Sequence, residues 1–181
     1  MRARWLAVVL ASALGGATMV PLVGCGPSAG QVRAARAQRY QGDRAQVFDA
    51  VAQALAQEQP IATADRDQGV LATDARWFTP EGFHEDRPER TVGGEREVVS
   101  TVREGSVRLA YEVRLVGGPS SYQVVVTPDV AQYRVSYKAL YPMKPGDPEL
   151  PGWVAGKVEK LEIALHRRLD AARLAPPGMT R

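Results

Sequence analysis

The sequence predicts an α+β domain: an antiparallel sheet of about five or six strands, with a short N-terminal helix and a long C-terminal helix packed on one face. Three observations lead to this prediction. Residues 106–115 alternate between apolar and polar side chains, as in a strand with one buried face. Residues 45–55 and 153–174 repeat apolar side chains at helical spacing. The order of helix, strands and long helix is typical of α+β layers.

The first predicted helix covers residues 45–55, and Asp43 is positioned to cap its N-terminus. It ends before Pro60, because the residue that precedes a proline is disfavoured in the α conformation. Two strands follow at residues 61–64 and 70–78. The turn between them contains Asp and Gly, which predicts a hairpin.

A long polar stretch, residues 79–94, separates this hairpin from the other strands. The strand at residues 106–115 has an apolar face and a polar face, and the polar face includes Arg108, Glu112 and Arg114. Further alternation predicts a strand at residues 122–126 and, after a break at Pro128 and Asp129, one at residues 133–137. A Pro/Gly-rich connection, residues 141–152, leads to the last helix. The apolar stripe of that helix consists of Val154, Val158, Leu161, Leu165 and Leu169.

The N-terminus has the layout of a secretory signal. Arg2 and Arg4 precede a largely apolar run that ends in LVGC at residues 22–25, and Cys25 is the only cysteine of the chain. This pattern resembles the lipobox of bacterial lipoproteins, which implies cleavage between Gly24 and Cys25 and lipid attached to Cys25. The alternative is an uncleaved signal anchor, but a membrane span needs about 20 uninterrupted apolar residues.

Two or three acyl chains on Cys25 would hold the protein on a membrane, whereas one chain anchors it only marginally. Gly26 follows the cysteine. By resemblance to lipoproteins of bacteria with two membranes, the lack of Asp at this position implies the outer membrane, on the side that faces the periplasm. In a host with one membrane, the same signal implies the outer face of the plasma membrane.

The predicted organisation has four parts. Residues 1–24 are the signal peptide, residues 25–39 the lipidated cysteine and a tether, residues 40–175 a single α+β domain, and residues 176–181 a C-terminal tail. The tether is predicted because residues 26–39 are small, polar and basic, without an apolar period. A flexible segment of this length spans roughly 20 Å.

The charge balance gives no reason to expect a nucleic-acid partner. Loss of residues 1–24 removes two of the 23 basic residues and none of the 20 acidic ones, so the mature domain is close to neutral. There is also no dense stripe of Lys and Arg for phosphate contacts. With Cys25 lipidated, no disulfide can form, and stability must come from a packed core.

Residues 40–57 (YQGDRAQVFDAVAQALAQ), followed by residues 61–77 (IATADRDQGVLATDARW), resemble the helix-grip modules of the outer-membrane assembly lipoprotein family BamC. In those modules a similar helix precedes a hairpin with a D-x-x-x-G turn. The resemblance covers the lipobox and residues 40–138. It implies an accessory role in outer-membrane assembly, although the chain has room for one module where that family has two.

Catalytic and metal-binding motifs have simpler explanations. Ser28 lies in a G-x-S-x-G sequence, but a nucleophile elbow needs a preceding strand. Asp65, Asp67 and Gly69 imitate the start of a calcium loop, yet the glycine falls one position early and the spacing suits a turn. His84 and His166 lack zinc-ligand spacing. We therefore expect no enzyme activity, no metal and no cofactor.

The leading functional hypothesis is a non-enzymatic envelope lipoprotein that acts as an interaction or structural module. The alternative is a helix-grip domain that binds a lipid or small ligand between the sheet and the last helix. The candidate partner contacts are Trp77, Phe78, Phe83 and His84, because the polar stretch is long for a hairpin connection and places aromatic side chains among charges. The polar sheet face is the next candidate surface.

Overall fold

The computed structural model describes residues 26–86, 89–92, 95–98, 102–118 and 121–171. Gly24, Cys25 and the predicted tail lie outside these ranges. The fold is α+β, as predicted, with helices packed on one face of a curled antiparallel sheet. In the described residues this main sheet has seven strands, more than the predicted five or six. Among the helices in these ranges, none combines the length and the apolar composition that a bilayer-spanning segment requires.

The centre of the main sheet is a long hairpin formed by β7 (Val107–Gly118) and β8 (Ser121–Arg134). On its other edge, β7 pairs with β2 (Val70–Thr73) and then with β3 (Arg76–Phe78). The strand predicted at residues 70–78 is therefore two strands. At the break, the hydroxyl of Thr73 accepts a hydrogen bond of 2.9 Å from the backbone N–H of Tyr111.

The predicted first hairpin is confirmed. β1 (Ile61–Asp65) pairs with β2. In the turn, the carboxylate of Asp65 accepts a hydrogen bond of 2.9 Å from the N–H of Gln68. Gly69 has a φ of 68°, a backbone conformation that glycine adopts without a Cβ clash.

The polar stretch at residues 79–94 is not the uninterrupted loop that the sequence predicts. It contains β4 (His84–Glu85), which pairs with β3, and β5 (Glu89–Val92), which pairs with β6 (Glu95–Val98) in a separate small sheet. β4 and β5 were missed because they are short and mostly polar, and therefore lack an apolar alternation. For β6 the sequence predicts a strand that begins at residue 97, two residues after the observed start.

The predicted strand break at Pro128 and Asp129 is wrong, since β8 runs through both residues. The strand ends at Arg134 instead. A turn follows, in which Lys138 has a φ of 48°. β9 (Ala139–Met143) then pairs with the last part of β8, although the sequence predicts most of these residues to belong to a connection.

Both predicted helices are present. α2 (Arg44–Ala56) is capped by the carboxylate of Asp43, which accepts a hydrogen bond of 3.0 Å from the N–H of Ala45. α3 (Gly152–Ala171) buries its predicted stripe. The apolar face of β7, which packs towards the helices, is also buried as predicted. It contributes Val107, Leu109, Tyr111, Val113 and Leu115 to the core. Each such aliphatic side chain contributes about 1.5–3 kcal/mol to folding.

The prediction that residues 25–39 form a tether is wrong for most of its length, because residues Ala29–Ala37 form a helix, α1, that packs on α3 and β8. A capping box begins this helix. The hydroxyl of Ser28 accepts from the N–H of Gln31 at 3.3 Å, and the side chain of Gln31 accepts from the N–H of Ser28 at 3.0 Å. Val32 is the buried residue that attaches α1 to the domain.

Candidate functional site

The four candidate partner contacts fall into two groups. Trp77 and Phe78 are 3% and 7% exposed, so the prediction that they lie on a contact surface is wrong. Phe83 is 71% exposed, and the side chain of His84 is about half exposed. The ring of His84 also packs edge-on against Phe78, with 5.7 Å between the ring centroids.

The start of the polar stretch is held against α3 by Trp153. Its indole N–H donates a hydrogen bond of 2.8 Å to the backbone carbonyl of Pro80, and its ring lies 5.3 Å from that of Phe78. Gly82 has a φ of 92°, and a Cβ at this position would come within 2.8 Å of the indole. The amine of Lys157 lies 4.3 Å from the centre of the Phe78 ring. Burial lowers the pKa of Lys157. This segment is therefore fixed by packing.

The next predicted surface is the polar face of β7. Glu112 and Arg114 form an ion pair there, and hydrogen bonding to Arg114 lowers the pKa of Glu112. Ala110 on the same face is buried. The ion pair satisfies these two charges within the face, so they give no specific sign of a partner.

The structure contains a groove of about 490 Å³ between β8 and the N-terminal half of α3. One wall is the edge of β8, the second is α3, and the connection between β9 and α3 closes the third side. The lining is mostly apolar, and its main side chains are Val124, Val126, Pro128, Leu150, Val154 and Val158.

The groove follows a stretch of β8 that pairs with β7 on one edge and has no neighbouring strand on the other edge among the described residues. Tyr122 exchanges two backbone hydrogen bonds of 2.8 Å with Tyr40, whereas Tyr133 exchanges bonds with Gly105 and Ser106 on the β7 side. Because successive residues of a strand direct their N–H and C=O groups to opposite edges, the even-numbered residues of β8 face away from β7. Val124, Val126 and Pro128 therefore direct their backbone polar groups towards the open edge.

One end of the groove is formed by an ion pair between α1 and α3. The Nε of Arg36 donates to the two carboxylate oxygens of Glu162 at 3.0 and 2.9 Å. The hydrogen bond to Glu162 raises the pKa of Arg36. The backbone carbonyl of Arg36 also accepts a hydrogen bond of 2.7 Å from the side chain of Gln123. These contacts join α1 to both walls of the groove.

Beside this end, Tyr40, His166 and Asp170 lie in a row of polar contacts. The hydroxyl of Tyr40 lies 3.2 Å from the Nδ1 of His166, and the Nε2 of His166 lies 3.2 Å from the carboxylate of Asp170. Burial raises the pKa of Tyr40 to about 12. The contacts of His166 thus link Tyr40 to α3.

The groove lies between the sheet and the last helix, where the alternative hypothesis expects a ligand. The helix α1, the open edge of β8 and the role of Arg36 were not predicted. Two local signals were available for α1: the S-x-x-Q capping box at residues 28–31 and the apolar Val32. The open edge had no such signal. It depends on where β9 stops along β8, which is set by tertiary pairing and not by the local sequence pattern.

Comparisons with known proteins give no family for this chain. No family model matches it, and no curated protein does. Among solved structures, it is similar to the crystal structure of a DUF4468 family protein from Bacteroides ovatus, with 11% sequence identity and a TM-score of 0.35. That similarity covers 79% of this chain and 87% of the other.

Proposed function

We propose that the chain is an outer-membrane lipoprotein, anchored through Cys25 and facing the periplasm, that acts as a non-enzymatic interaction module. The groove beside β8 is the observation that carries the binding part of this proposal. Its ionisable lining residues, Arg36 and Glu162, are bonded to each other. This pairing favours recognition over acid–base chemistry, which needs groups that are free to exchange protons.

The lipobox and the resemblance of residues 40–138 to BamC modules support a partner in the cell envelope. We propose that the outer-membrane assembly machinery is one such partner. The groove lies on the domain surface and joins elements that are far apart in the sequence, so a partner bound there would also hold α1 against the sheet.

Replacement of Cys25 by Ala tests the anchor. Without the thiol, no diacylglycerol can be attached, so we expect an unprocessed precursor without lipid. Labelling with a radioactive fatty acid, followed by membrane fractionation, measures both effects. Ser28→Ala is the control, because it removes a helix cap and leaves the lipobox intact. A Cys25→Ala protein that is still labelled and cleaved contradicts the proposed anchor.

Photo-crosslinking in the native membrane tests the binding surface. A benzoylphenylalanine at Ala155, an exposed position that lines the groove, should crosslink to an envelope protein. The same residue at Ala171, which is exposed on the same helix and outside the groove lining, should not. Equal crosslinking from both positions, or none from Ala155, contradicts binding through the groove.

A second candidate function is the transport or storage of a small apolar ligand. The volume of about 490 Å³ lies within the range of small-molecule sites, and this observation favours it. Solvent extraction of the purified protein, followed by mass spectrometry, would then yield one class of lipid in near-equal molar amount. Ala155→Trp should reduce that amount, whereas Ala171→Trp should not.

A further inference from the structure

The open edge of β8 presents backbone polar groups that have no partner within the described residues. They are the N–H and C=O groups of Val124 and Val126 and the C=O group of Pro128. An apolar partner that covered this edge would separate these groups from water. Unpaired buried backbone groups cost free energy, so a stable occupant must supply donors and acceptors at the spacing of a strand.

The space beside the open edge, where a neighbouring strand would lie, is already occupied at both ends. Tyr40 pairs with Tyr122 at one end, and Met143 of β9 pairs with Val130 at the other. The eight steps from Tyr122 to Val130 correspond to about 26 Å of strand. A single extended segment of about five or six residues fits between Tyr40 and β9. It would complete the pairing along this edge of β8.

We propose that the groove binds an extended apolar segment of a partner protein, which adds to β8 as a strand. This inference rests on the proposed function and names the form of the partner. Alternate side chains of the guest would point towards α3, where Val154, Val158 and Leu150 form the apolar wall. The intervening side chains would face solvent, so the guest sequence alternates apolar and polar residues.

Two other occupants fit less well. An acyl chain could fill the apolar volume, but it offers no hydrogen-bond donor or acceptor to the edge of β8. The edge strand of a second copy would have to bring its own sheet into a groove that is bounded by α3 and by the connection at residues 144–151. A single extended peptide meets both requirements.

The test uses the full-length chain as the cell processes it, held in phospholipid nanodiscs. Random decapeptides displayed on phage are selected against it, with empty nanodiscs for subtraction. We expect enriched peptides with apolar residues at every second position. A synthetic peptide of the most enriched sequence should slow amide hydrogen exchange at Val124 and Val126 at least tenfold.

Matched variants identify the place of binding. Ala155→Trp should lower the affinity for this peptide at least tenfold by filling the groove, whereas Ala171→Trp should leave it unchanged. Val124→Pro should also weaken binding, because it removes one donor from the open edge without removing a bond to β7. Circular dichroism melts identify any variant that fails to fold, and the hydrogen-exchange result on the unsubstituted protein remains decisive.

Several outcomes would overturn the inference: no enriched peptide, enrichment without alternation, or a bound peptide that leaves the Val124 and Val126 amides unprotected. Protection by decanoate in place of peptides would assign the groove to acyl chains, and protection that depends only on protein concentration would assign it to a second copy. If crosslinking at Ala155 still captures an envelope protein after any of these results, the proposed function stands and only the strand-addition mode fails.

Discussion

The two halves of β8 differ in what lies beside them. The C-terminal half pairs with β7 on one edge and with β9 on the other, over residues Val130 to Arg134. The N-terminal half pairs with β7 alone, apart from the contact between Tyr122 and Tyr40. One strand thus contains both a fully paired segment and an open one.

The difference shows how the fold limits the open segment. Pro128 stands near the boundary, and because it has no N–H it shortens the row of donors at the exposed edge. α1 and Tyr40 close the other end. The remaining edge lies inside a groove instead of on a flat surface, which restricts indiscriminate pairing between sheets.

The largest expected effect comes from a buried charge in the paired half. Val130 is 3% exposed, and Val130→Asp should lower the free energy of unfolding by about 3–5 kcal/mol because its carboxylate has no partner and no access to water. Val124→Asp should cost much less, since water in the groove can reach the new carboxylate. Urea melts of both variants measure the difference, and equal losses would mean that the two halves are equally enclosed.

The pH dependence of stability tests whether Tyr40, at the N-terminal end of the open half of β8, is buried. Burial raises the pKa of Tyr40 to about 12, so the protonated phenol is favoured in the folded state. Its contribution, at most about 2–3 kcal/mol, is complete below about pH 10 and is lost as the pH rises towards about 12.

Melting temperatures at about pH 9 and pH 11.5 measure this loss. Tyr40→Phe should show a smaller fall between the two pH values than the unsubstituted protein. Some fall should remain, because burial also raises the pKa of Tyr111 to about 12. An unchanged fall in Tyr40→Phe would mean that Tyr40 does not titrate as a buried group.

A pair of proline substitutions compares the backbone of the two halves directly. Gln132 pairs with Tyr141 of β9 and directs its N–H towards that strand, so Gln132→Pro should lower the free energy of unfolding by about 2 kcal/mol. Val124→Pro should cost less than Gln132→Pro, because the N–H that it removes has no partner among the described residues and only the partly buried side chain is lost. Denaturant melts decide, and a larger cost at Val124 would contradict an open edge.

The smallest expected effect concerns the end wall of the groove. The side chain of Arg36 is 54% exposed, and an ion pair of this kind contributes about 0.5 kcal/mol. Arg36→Ala should therefore change stability little. It should increase hydrogen exchange in α1, while exchange in α2 stays unchanged. Equal changes in both helices would indicate global destabilisation instead.

Local patterns in the sequence were sufficient to predict the helices and strands that form the core. The alternation in β7 and the stripe of α3 each belong to one long element with one buried face, so periodicity alone identified them. The cap at Asp43 and the turn ending at Gly69 were identified for the same reason, because each depends on residues that are close in the chain.

Other features depend on contacts that a local pattern does not contain. The capping box at residues 28–31 marks the start of α1, but the docking of this helix depends on contacts with Glu162 and Gln123, which come from distant elements. The charged stretch beside Trp77 and Phe78 predicts a partner surface, but tertiary packing buries both side chains. The predictions of lipid on Cys25, the outer-membrane location and the envelope partner stay predictions.

If Cys25 carries lipid, as we propose, the docking of α1 determines how far the domain can move from the membrane. Only Gly26, Pro27 and Ser28 separate Cys25 from the first residue of α1. The four Cα steps from Cys25 to Ala29 span at most about 14 Å, and α1 itself is about 14 Å long. With lipid on Cys25, Arg36 and the adjoining end of the groove would lie within about 30 Å of the bilayer surface. Partner segments within reach are then those that emerge close to the membrane, which directs the search towards the membrane-proximal parts of envelope proteins.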